Sequence, residues 1–251
     1  MQNMRINHFG IMILDKPTNH ICKDHIVNAP KEKNSEWCDD SIAIQRKIAD
    51  INYDLNMAYF ASLDHDEFLK YIRKKTEKFH FIECLDLNEV DGVCGIYILV
   101  LEVYNQIYIG KTGAADGIKG RVLDHWNKKK PIEKAVTTWD LISSILSIDC
   151  FGALDTTKIY YLPTPKNKLS KAEEIITSAF DHRYQLNRVP GGYGSQDTYT
   201  ETKLSVQLAI AGNIQTRNMI EFLDYNRLSG VIFDVYRESY LKKYPELAGY
   251  I

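Results

Sequence analysis

Two tyrosines in neighbouring apolar runs are the first residues of this chain that could do chemistry. They belong to the tripeptides Gly95-Ile96-Tyr97 and Tyr108-Ile109-Gly110, and ten residues lie between the two tyrosines. A tyrosine hydroxyl that is buried or paired can accept a proton or orient a water molecule. The two hydroxyls could therefore act together if the chain brings them to one surface.

The segment between the two tyrosines indicates how they could meet. Residues 98–107 are rich in β-branched and aromatic side chains, which favour strands, and Asn105-Gln106 is typical of a tight turn. We therefore expect a β-hairpin with one tyrosine on each strand. Ordinary strand tyrosines would give the same pattern, since the chain has 16 tyrosines. The residues that follow must therefore distinguish a functional pair from ordinary strand residues.

Basic side chains suited to a phosphate group follow the second tripeptide. Lys111 comes directly after Gly110, and residues 121–126, after a glycine-containing loop, read as the first turns of a helix. Arg121 and His125 are four residues apart, so they share one helix face. Arginine suits phosphate because its planar guanidinium donates two parallel hydrogen bonds.

A later helix supplies two adjacent carboxylates. Ser170 is a favourable N-cap, and Glu173 stands three residues later in a capping-box arrangement, with Glu174 next to it. Apolar residues recur at helical spacing and predict the buried face, namely Ala172, Ile175, Ile176, Ala179 and Phe180. We expect this helix to end near Leu186-Asn187.

The order of these residues resembles the GIY-YIG nuclease family. The resemblance covers about residues 93–190 and includes both tripeptides, their spacing, and the arginine, histidine, glutamate and asparagine that follow in order. It implies an α+β fold with a small three-stranded antiparallel sheet flanked by helices. Residues 158–162 would form the third strand, ended by Pro163, and residues 132–148 would form the helix before it.

The resemblance also implies catalytic roles. Tyr97 would be the general base or would orient the attacking water, and Tyr108 would lie against the scissile phosphate. Arg121 would bind that phosphate and stabilise its developing charge. His125 resembles the histidine that assists the tyrosine in the restriction endonuclease branch of the family. Lys111 matches the basic residue that often follows the second motif.

A divalent metal ion and an asparagine complete the implied site. One carboxylate of the Glu173/Glu174 pair would hold Mg²⁺, for which Mn²⁺ could substitute, and Asn187 would brace the site. Mg²⁺ keeps several waters, so one glutamate can suffice as its protein anchor. Ala172, Ile176 and Phe180 stand at −1, +3 and +7 from Glu173, and this apolar pattern favours Glu173 as the metal ligand. Glu174 remains the alternative metal ligand, because Glu173 is also the predicted capping residue. The alternative for Asn187 is an ordinary residue at a helix C-terminus.

Local charge adds candidate DNA contacts. The chain has a net charge of −2, but residues 111–134 contain seven Lys/Arg and three acidic residues, so this segment carries +4. Its lysines outside the catalytic set are candidate phosphate contacts, chiefly Lys119, Lys128, Lys129 and Lys130. The alternative for the last three is a solvated helix end, where the helix dipole favours cations.

Three regions can be distinguished along the chain. Residues 1–90 contain a loop-like stretch at 15–39 and two amphipathic helices, at about 40–61 and 64–78, started by Asp64 or Asp66. Residues 91–190 would be the nuclease core. Residues 191–251 would form a C-terminal helical extension packed on the core, with helices near 201–225 and 231–243. The N-terminal helices are the expected DNA-contact region.

Composition limits the cellular setting. No apolar run approaches a membrane span, no signal sequence is evident, and the five cysteines are scattered and odd in number. We expect a cytoplasmic protein with no membrane partner and no organic cofactor.

The expected function is cleavage of double-stranded DNA by a site-specific type II restriction endonuclease that forms a homodimer at least on DNA. One alternative is a phage or mobile-element nuclease that acts on other DNA or RNA structures. The other is a non-catalytic nucleic-acid-binding protein on the same fold.

Overall fold

A computed structural model of the 251-residue chain describes residues 21, 23–33, 63–127, 131–132 and 146–187, with scattered residues between 39 and 61. These fall into two compact units. One contains residues 63–127 and 151–186 with Ile21, and the other contains the remaining described residues. The unit that holds the predicted core thus also includes residues 63–90 of the predicted N-terminal region. The predicted C-terminal helices lie outside the described residues.

The first unit is built around a four-stranded antiparallel sheet. Its strands follow the order β1-β4-β2-β3 across the sheet and are β1 (Ile82–Cys84), β2 (Gly95–Leu101), β3 (Gln106–Thr112) and β4 (Lys158–Pro163). The α+β class and the last three strands agree with the prediction, but the strand count of three was wrong. β1 pairs with the otherwise free edge of β4, where Ile82 lies opposite Tyr161, and so covers backbone groups that an edge strand exposes.

The β2–β3 hairpin carries the two tripeptides as expected, but its turn differs from the prediction. A single 3-10 turn, Glu102–Tyr104, is followed by Asn105 in the left-handed region at φ 51° and ψ 41°. Gln106 already belongs to β3 and lies opposite Leu101. Asparagine tolerates the left-handed conformation better than most residues, so Asn105 closes a longer connection while Gln106 stays in the strand.

The two faces of the hairpin have different neighbours. Side chains alternate along a strand, and Ile96, Ile98 and Val100 belong to the main core. That core also includes residues of β3, of the helices α2 (His65–Lys78) and α4 (Leu169–Ala179), and of the segment just after α4, namely Ile107, Ile109, Phe68, Ile72, Leu169, Ile176, Phe180 and Tyr184. Tyr97 and Leu99 therefore point to the opposite face.

The N-terminal helices agree with the predictions in part. A short helix, α1 (Lys23–Val27), lies within the stretch expected to be a loop. All described residues between 39 and 61 are helical, as predicted. Helix α2 begins after Asp64, whose side chain accepts a hydrogen bond from the Glu67 backbone N–H at 2.7 Å. Of the two predicted starting residues, Asp64 is thus the N-cap.

The helix that carries Arg121 and His125 begins earlier than predicted. Helix α3 (Gly117–Asn127) starts four residues before Arg121. Gly117 has φ +62°, and a Cβ there would overlap the backbone of Gly92 and Val93. The Ile118 backbone N–H donates to the Val93 carbonyl at 3.0 Å. Only glycine allows this close approach, which fixes the helix start there.

The start of α4 corrects the capping prediction. A 3-10 turn at Lys166–Lys168 runs directly into the helix, and the N-cap Lys168 makes no side-chain capping hydrogen bond. Ser170 therefore lies inside the first turn and forms no capping box with Glu173. The predicted buried face was also wrong in one position, because Ile175 is 50% exposed whereas Ile176 and Phe180 are buried.

The predicted helix over residues 132–148 is described only at its two ends. Ile132 is helical, whereas Leu146 and Ser147 are not, and Ile148–Cys150 forms a 3-10 turn. The last three predicted positions therefore do not continue an α-helix, and residues 133–145 lie outside the described residues. None of the helices in the described ranges is long and apolar enough to cross a membrane.

Candidate active site

Tyr97 and His125 are joined across the face of the sheet that carries α3. The Tyr97 hydroxyl lies 2.8 Å from His125 Nε2. Tyr97 is fully buried in the middle strand pair, and His125 is 2% exposed. The helix periodicity that places His125 one turn after Arg121 brings both side chains toward the same tyrosine. The sequence thus builds a buried phenol–imidazole pair.

Tyr108 completes an aromatic cluster with this pair. It lies opposite Leu99 in the hairpin, two positions diagonally from Tyr97 and on the same face. Its ring centroid is 6.2 Å from that of Tyr97 and 5.0 Å from that of His125, to which it is edge-on. Tyr108 is half-buried, so it forms the more accessible side of the cluster.

Arg121 acts on the Tyr97 hydroxyl within this cluster. Burial raises the pKa of the Tyr97 hydroxyl well above its usual value, and Tyr108 adds to that rise. The Arg121 guanidinium opposes it through its charge and through a hydrogen bond to the hydroxyl, whereas Glu173 raises the pKa slightly further. The net effect keeps Tyr97 neutral at physiological pH.

The hydrogen-bonding capacities of these groups assign the protons. A guanidinium can only donate, so the Tyr97 oxygen accepts from Arg121. The phenolic proton is then available to His125 Nε2, which accepts it if the imidazole is neutral and carries its proton on Nδ1. In this arrangement Tyr97 is neutral but connected to a base, so it could pass a proton on without forming a long-lived phenolate.

Glu173 and Lys111 form an ion pair in the same unit. Lys111 Nζ lies 2.8 Å from Glu173 Oε2, and the Glu173 side chain is only 9% exposed. Burial raises the pKa of the Glu173 carboxyl, while the hydrogen bond and charge of Lys111 lower it. Lys111 Nζ also lies 3.2 Å from Ser170 Oγ. The first turn of α4 is thereby connected to the end of β3.

Glu174 is placed differently from its neighbour. It is exposed, and its Oε2 lies 3.3 Å from Lys171 Nζ in a surface ion pair. The N-cap lies two residues earlier than predicted, so Glu173 is not a capping residue, and it is buried. Of the two predicted carboxylates, Glu173 is therefore the one that lies in a protected environment.

The donor set at Glu173 is compatible with one magnesium ion. Within the residues described, no three His, Cys, Asp or Glu side chains come together as a ready-made metal cage. Mg²⁺ does not require one, because it takes oxygen ligands and retains waters. Apart from the Lys111 ammonium, Glu173 Oε2 is a buried atom without a hydrogen-bond partner in the described part of the chain. Such an oxygen is suited to coordinate a cation.

Among the remaining predicted residues, Lys119 has its own partners on the surface. Lys119 Nζ is 2.9 Å from Asp91 Oδ2 and 2.9 Å from Asn88 Oδ1, so it is engaged on the surface. Asn187 is half-buried and falls in the second unit. The last three candidate DNA contacts lie outside the described residues, namely Lys128, Lys129 and Lys130.

Two residues near the site were not predicted to belong to it. Tyr161 lies directly opposite Tyr97 in the β2–β4 ladder, and opposed residues share a face of the sheet. Ser170 contacts Lys111 instead of capping its helix. The strand of Tyr161 was predicted, but its register with β2 depends on long-range pairing that no local pattern reveals.

Comparison with known proteins gives no match to any family model, curated protein or solved structure.

Proposed function

We propose that this protein is a metal-dependent endonuclease of the GIY-YIG type that hydrolyses DNA phosphodiester bonds. The observation that carries the proposal is the 2.8 Å contact between the Tyr97 hydroxyl and His125 Nε2, with Tyr108 packed on both rings and Arg121 acting on the same hydroxyl. Phosphodiester hydrolysis needs an activated water and a cation for the non-bridging oxygens. In this cluster Tyr97 with His125 could activate the water, and Arg121 could bind the non-bridging oxygens.

In the proposed reaction Tyr97 transfers a proton. Its oxygen takes the proton of the attacking water while its own proton passes to His125 Nε2. The high pKa of Tyr97 is no obstacle to such a relay, because a free phenolate is never required. Both side chains are buried, so substrate binding has to open a path to the hydroxyl.

Arg121 and Tyr108 would hold the substrate. The Arg121 side chain is 37% exposed, and its Nη1 lies 3.6 Å from Oδ2 of the exposed Asp124. A guanidinium in this position could give two hydrogen bonds to a phosphate and stabilise the charge that develops on it. Tyr108, half-buried beside it, would pack against the scissile phosphate.

Glu173 would hold Mg²⁺, or Mn²⁺ in its place. When bound, this ion supplies charge stabilisation for the leaving oxygen and a Lewis acid for the phosphate. Glu173 provides a buried carboxylate oxygen for it.

We further propose site-specific restriction of double-stranded DNA as the biological activity. The compact unit around the sheet combines the core with helix α2, without a long linker inside residues 63–127. One core holds one set of Tyr97, Arg121 and Glu173, whereas a duplex has two strands to cut. Two copies on a palindromic site would match protein symmetry to DNA symmetry.

A non-catalytic nucleic-acid-binding role is the competing function. The complete burial of Tyr97 favours it, because a buried hydroxyl is not immediately available to a water. A DNA cleavage assay distinguishes the nuclease from the non-catalytic binding protein. Purified protein is incubated with Mg²⁺ and several plasmids, and the ends are sequenced. Discrete ends support restriction, a smear supports a nuclease of another kind, and intact plasmids under all conditions would contradict a nuclease.

The expected assembly is tested by sedimentation on DNA. With a duplex that contains the cleaved sequence and Ca²⁺ in place of Mg²⁺, we expect two protein chains per duplex. A one-to-one complex that cuts both strands in one binding event would contradict the dimer.

A further inference from the structure

The Lys111–Glu173 ion pair has an arrangement that an ordinary surface pair lacks. Lys111 Nζ lies 2.8 Å from Glu173 Oε2, and the side chains are 28% and 9% exposed, respectively. The carboxylate is therefore enclosed, while the lysine retains an open side. Ser170 Oγ, at 3.2 Å from the same ammonium, lies on the exposed first turn of α4.

A buried carboxylate needs a compensating cation or hydrogen bonds. Apart from the Lys111 ammonium, Glu173 Oε2 has no hydrogen-bond partner within the described residues. Lysine is suited to a contact that can be exchanged, because its charge lies at the end of a flexible four-carbon chain with three rotatable donors. The half-exposed position of Lys111 leaves it room to move away.

We propose that Lys111 occupies the place of the metal ion on Glu173 and is displaced when the metal binds. This inference rests on the proposed function, in which Glu173 is the metal anchor. One carboxylate cannot hold an ammonium and a divalent ion at the same oxygen, since the two cations would repel each other at close range in a partly desolvated site. Metal binding thus releases the Lys111 ammonium.

The released ammonium would then bind a DNA phosphate. Lys111 lies opposite Ile96, so its side chain is on the other face of the sheet from Tyr108. Its partner Glu173 nevertheless acts on Tyr97 through its charge, so the released ammonium starts within electrostatic range of the proposed substrate site. Metal and DNA would therefore help each other to bind, because the phosphate gives Lys111 a new partner and the metal gives Glu173 one. Such coupling is reciprocal by thermodynamic necessity.

A titration with Mn²⁺ tests this exchange without relying on catalysis. Free Mn²⁺ is followed by electron paramagnetic resonance at constant pH and without DNA, for the wild type and for Lys111→Met, Lys111→Gln and Glu173→Gln. Lys119→Met is the matched control, because Lys119 is also 28% exposed and also paired with a carboxylate, that of Asp91. Circular dichroism checks that each variant is folded.

The expected result is an increase of about tenfold or more in Mn²⁺ affinity for Lys111→Met and Lys111→Gln, because a cation that competes for the same oxygen has been removed. Lys119→Met should bind Mn²⁺ like the wild type, and Glu173→Gln should lose the site. Unchanged or weaker binding by the Lys111 variants, with the site lost in Glu173→Gln, would overturn the exchange while leaving Glu173 as the metal anchor. Undiminished binding by Glu173→Gln would overturn both.

A second measurement covers the case in which neither Lys111 variant folds. The wild-type protein is titrated with Mn²⁺ alone and with a short duplex whose phosphates are replaced by non-cleavable phosphorothioates. Tighter Mn²⁺ binding in the presence of the duplex, after subtraction of the Mn²⁺ bound by the duplex alone, supports the exchange. Equal affinity with and without the duplex contradicts it.

Discussion

Gly110 lies directly opposite Tyr97 in the β2–β3 ladder, and the Tyr97 ring covers it. A Cβ at residue 110 would overlap the Cζ and hydroxyl of Tyr97 and would come within 2.9 Å of Tyr108 Cε1. The glycine of the second tripeptide is therefore required by the position of the tyrosine of the first. This relationship explains why the two tripeptides occur together on one hairpin.

Gly110→Ala should displace the Tyr97 ring and break its contact with His125. We expect a loss of stability of about 1–3 kcal/mol, typical of overpacking in a core, and a strong loss of cleavage at temperatures where the variant is folded. Urea unfolding and plasmid cleavage measure the two effects. Gly113→Ala is the control, because its Cβ would meet mainly the flexible side chains of Leu169 and Lys166 at 3.1 Å or more. Equal effects of the two substitutions would contradict this role for Gly110.

Glu173→Gln should abolish metal-dependent cleavage, whereas Glu174→Gln should leave it nearly unchanged. The reason is their placement, since Glu173 is enclosed beside Lys111 and Glu174 pairs with Lys171 on the surface. Cleavage is measured over a series of Mg²⁺ concentrations, with circular dichroism as a folding check. If Glu174→Gln proved the inactive variant of the two, the metal would have to be assigned to Glu174.

Arg121→Lys should reduce the cleavage rate on the order of 10²-fold although it preserves the charge. Lysine cannot reproduce the two parallel hydrogen bonds of a guanidinium to a phosphate, nor its simultaneous hydrogen bond to Tyr97. Single-turnover rates on a saturating duplex isolate the chemical step. A variant with wild-type single-turnover rate would show that Arg121 acts only as a point charge.

Stability at alkaline pH should reveal the buried phenol. The folded-state pKa of Tyr97 is raised above its unfolded value, mainly by burial. As pH rises through about 10, tyrosine ionises in the unfolded state while Tyr97 stays protonated in the folded state. Ionisation therefore stabilises the unfolded state, and the free energy of unfolding decreases. Wild-type protein should therefore lose more stability than Tyr97→Phe between pH 8 and 10.5, measured by urea unfolding. Identical losses would contradict an enclosed, protonated Tyr97.

The local part of this site could be predicted from the sequence. The strands of the hairpin follow from their apolar, β-branched character, and the shared face of Arg121 and His125 follows from helix geometry. Asp64 was also predicted as a start of α2, because it offers a capping oxygen to the first turn.

The parts that were missed depend on tertiary packing. β1 is only three residues long and is defined by its pairing with β4, which no local pattern indicates. The N-cap of α4 was misplaced by two residues, because a 3-10 turn at Lys166–Lys168 runs directly into the helix before Ser170. The contact of Lys111 with Glu173 joins residues 62 positions apart and could not be inferred from spacing.

The most direct test of the proposed function is the cleavage of DNA by the wild type and by Tyr97→Phe with Mg²⁺. Tyr160→Phe is the matched control, because Tyr160 lies opposite Ile98 on β4 and packs against the other face of the sheet. We expect the wild type and Tyr160→Phe to cut at the same rate and Tyr97→Phe to be slower by ~10²–10⁴-fold while remaining folded, since only a proton-transferring hydroxyl is lost. A Tyr97→Phe variant that cleaves at more than about a tenth of the wild-type rate would contradict the role of Tyr97 in proton transfer.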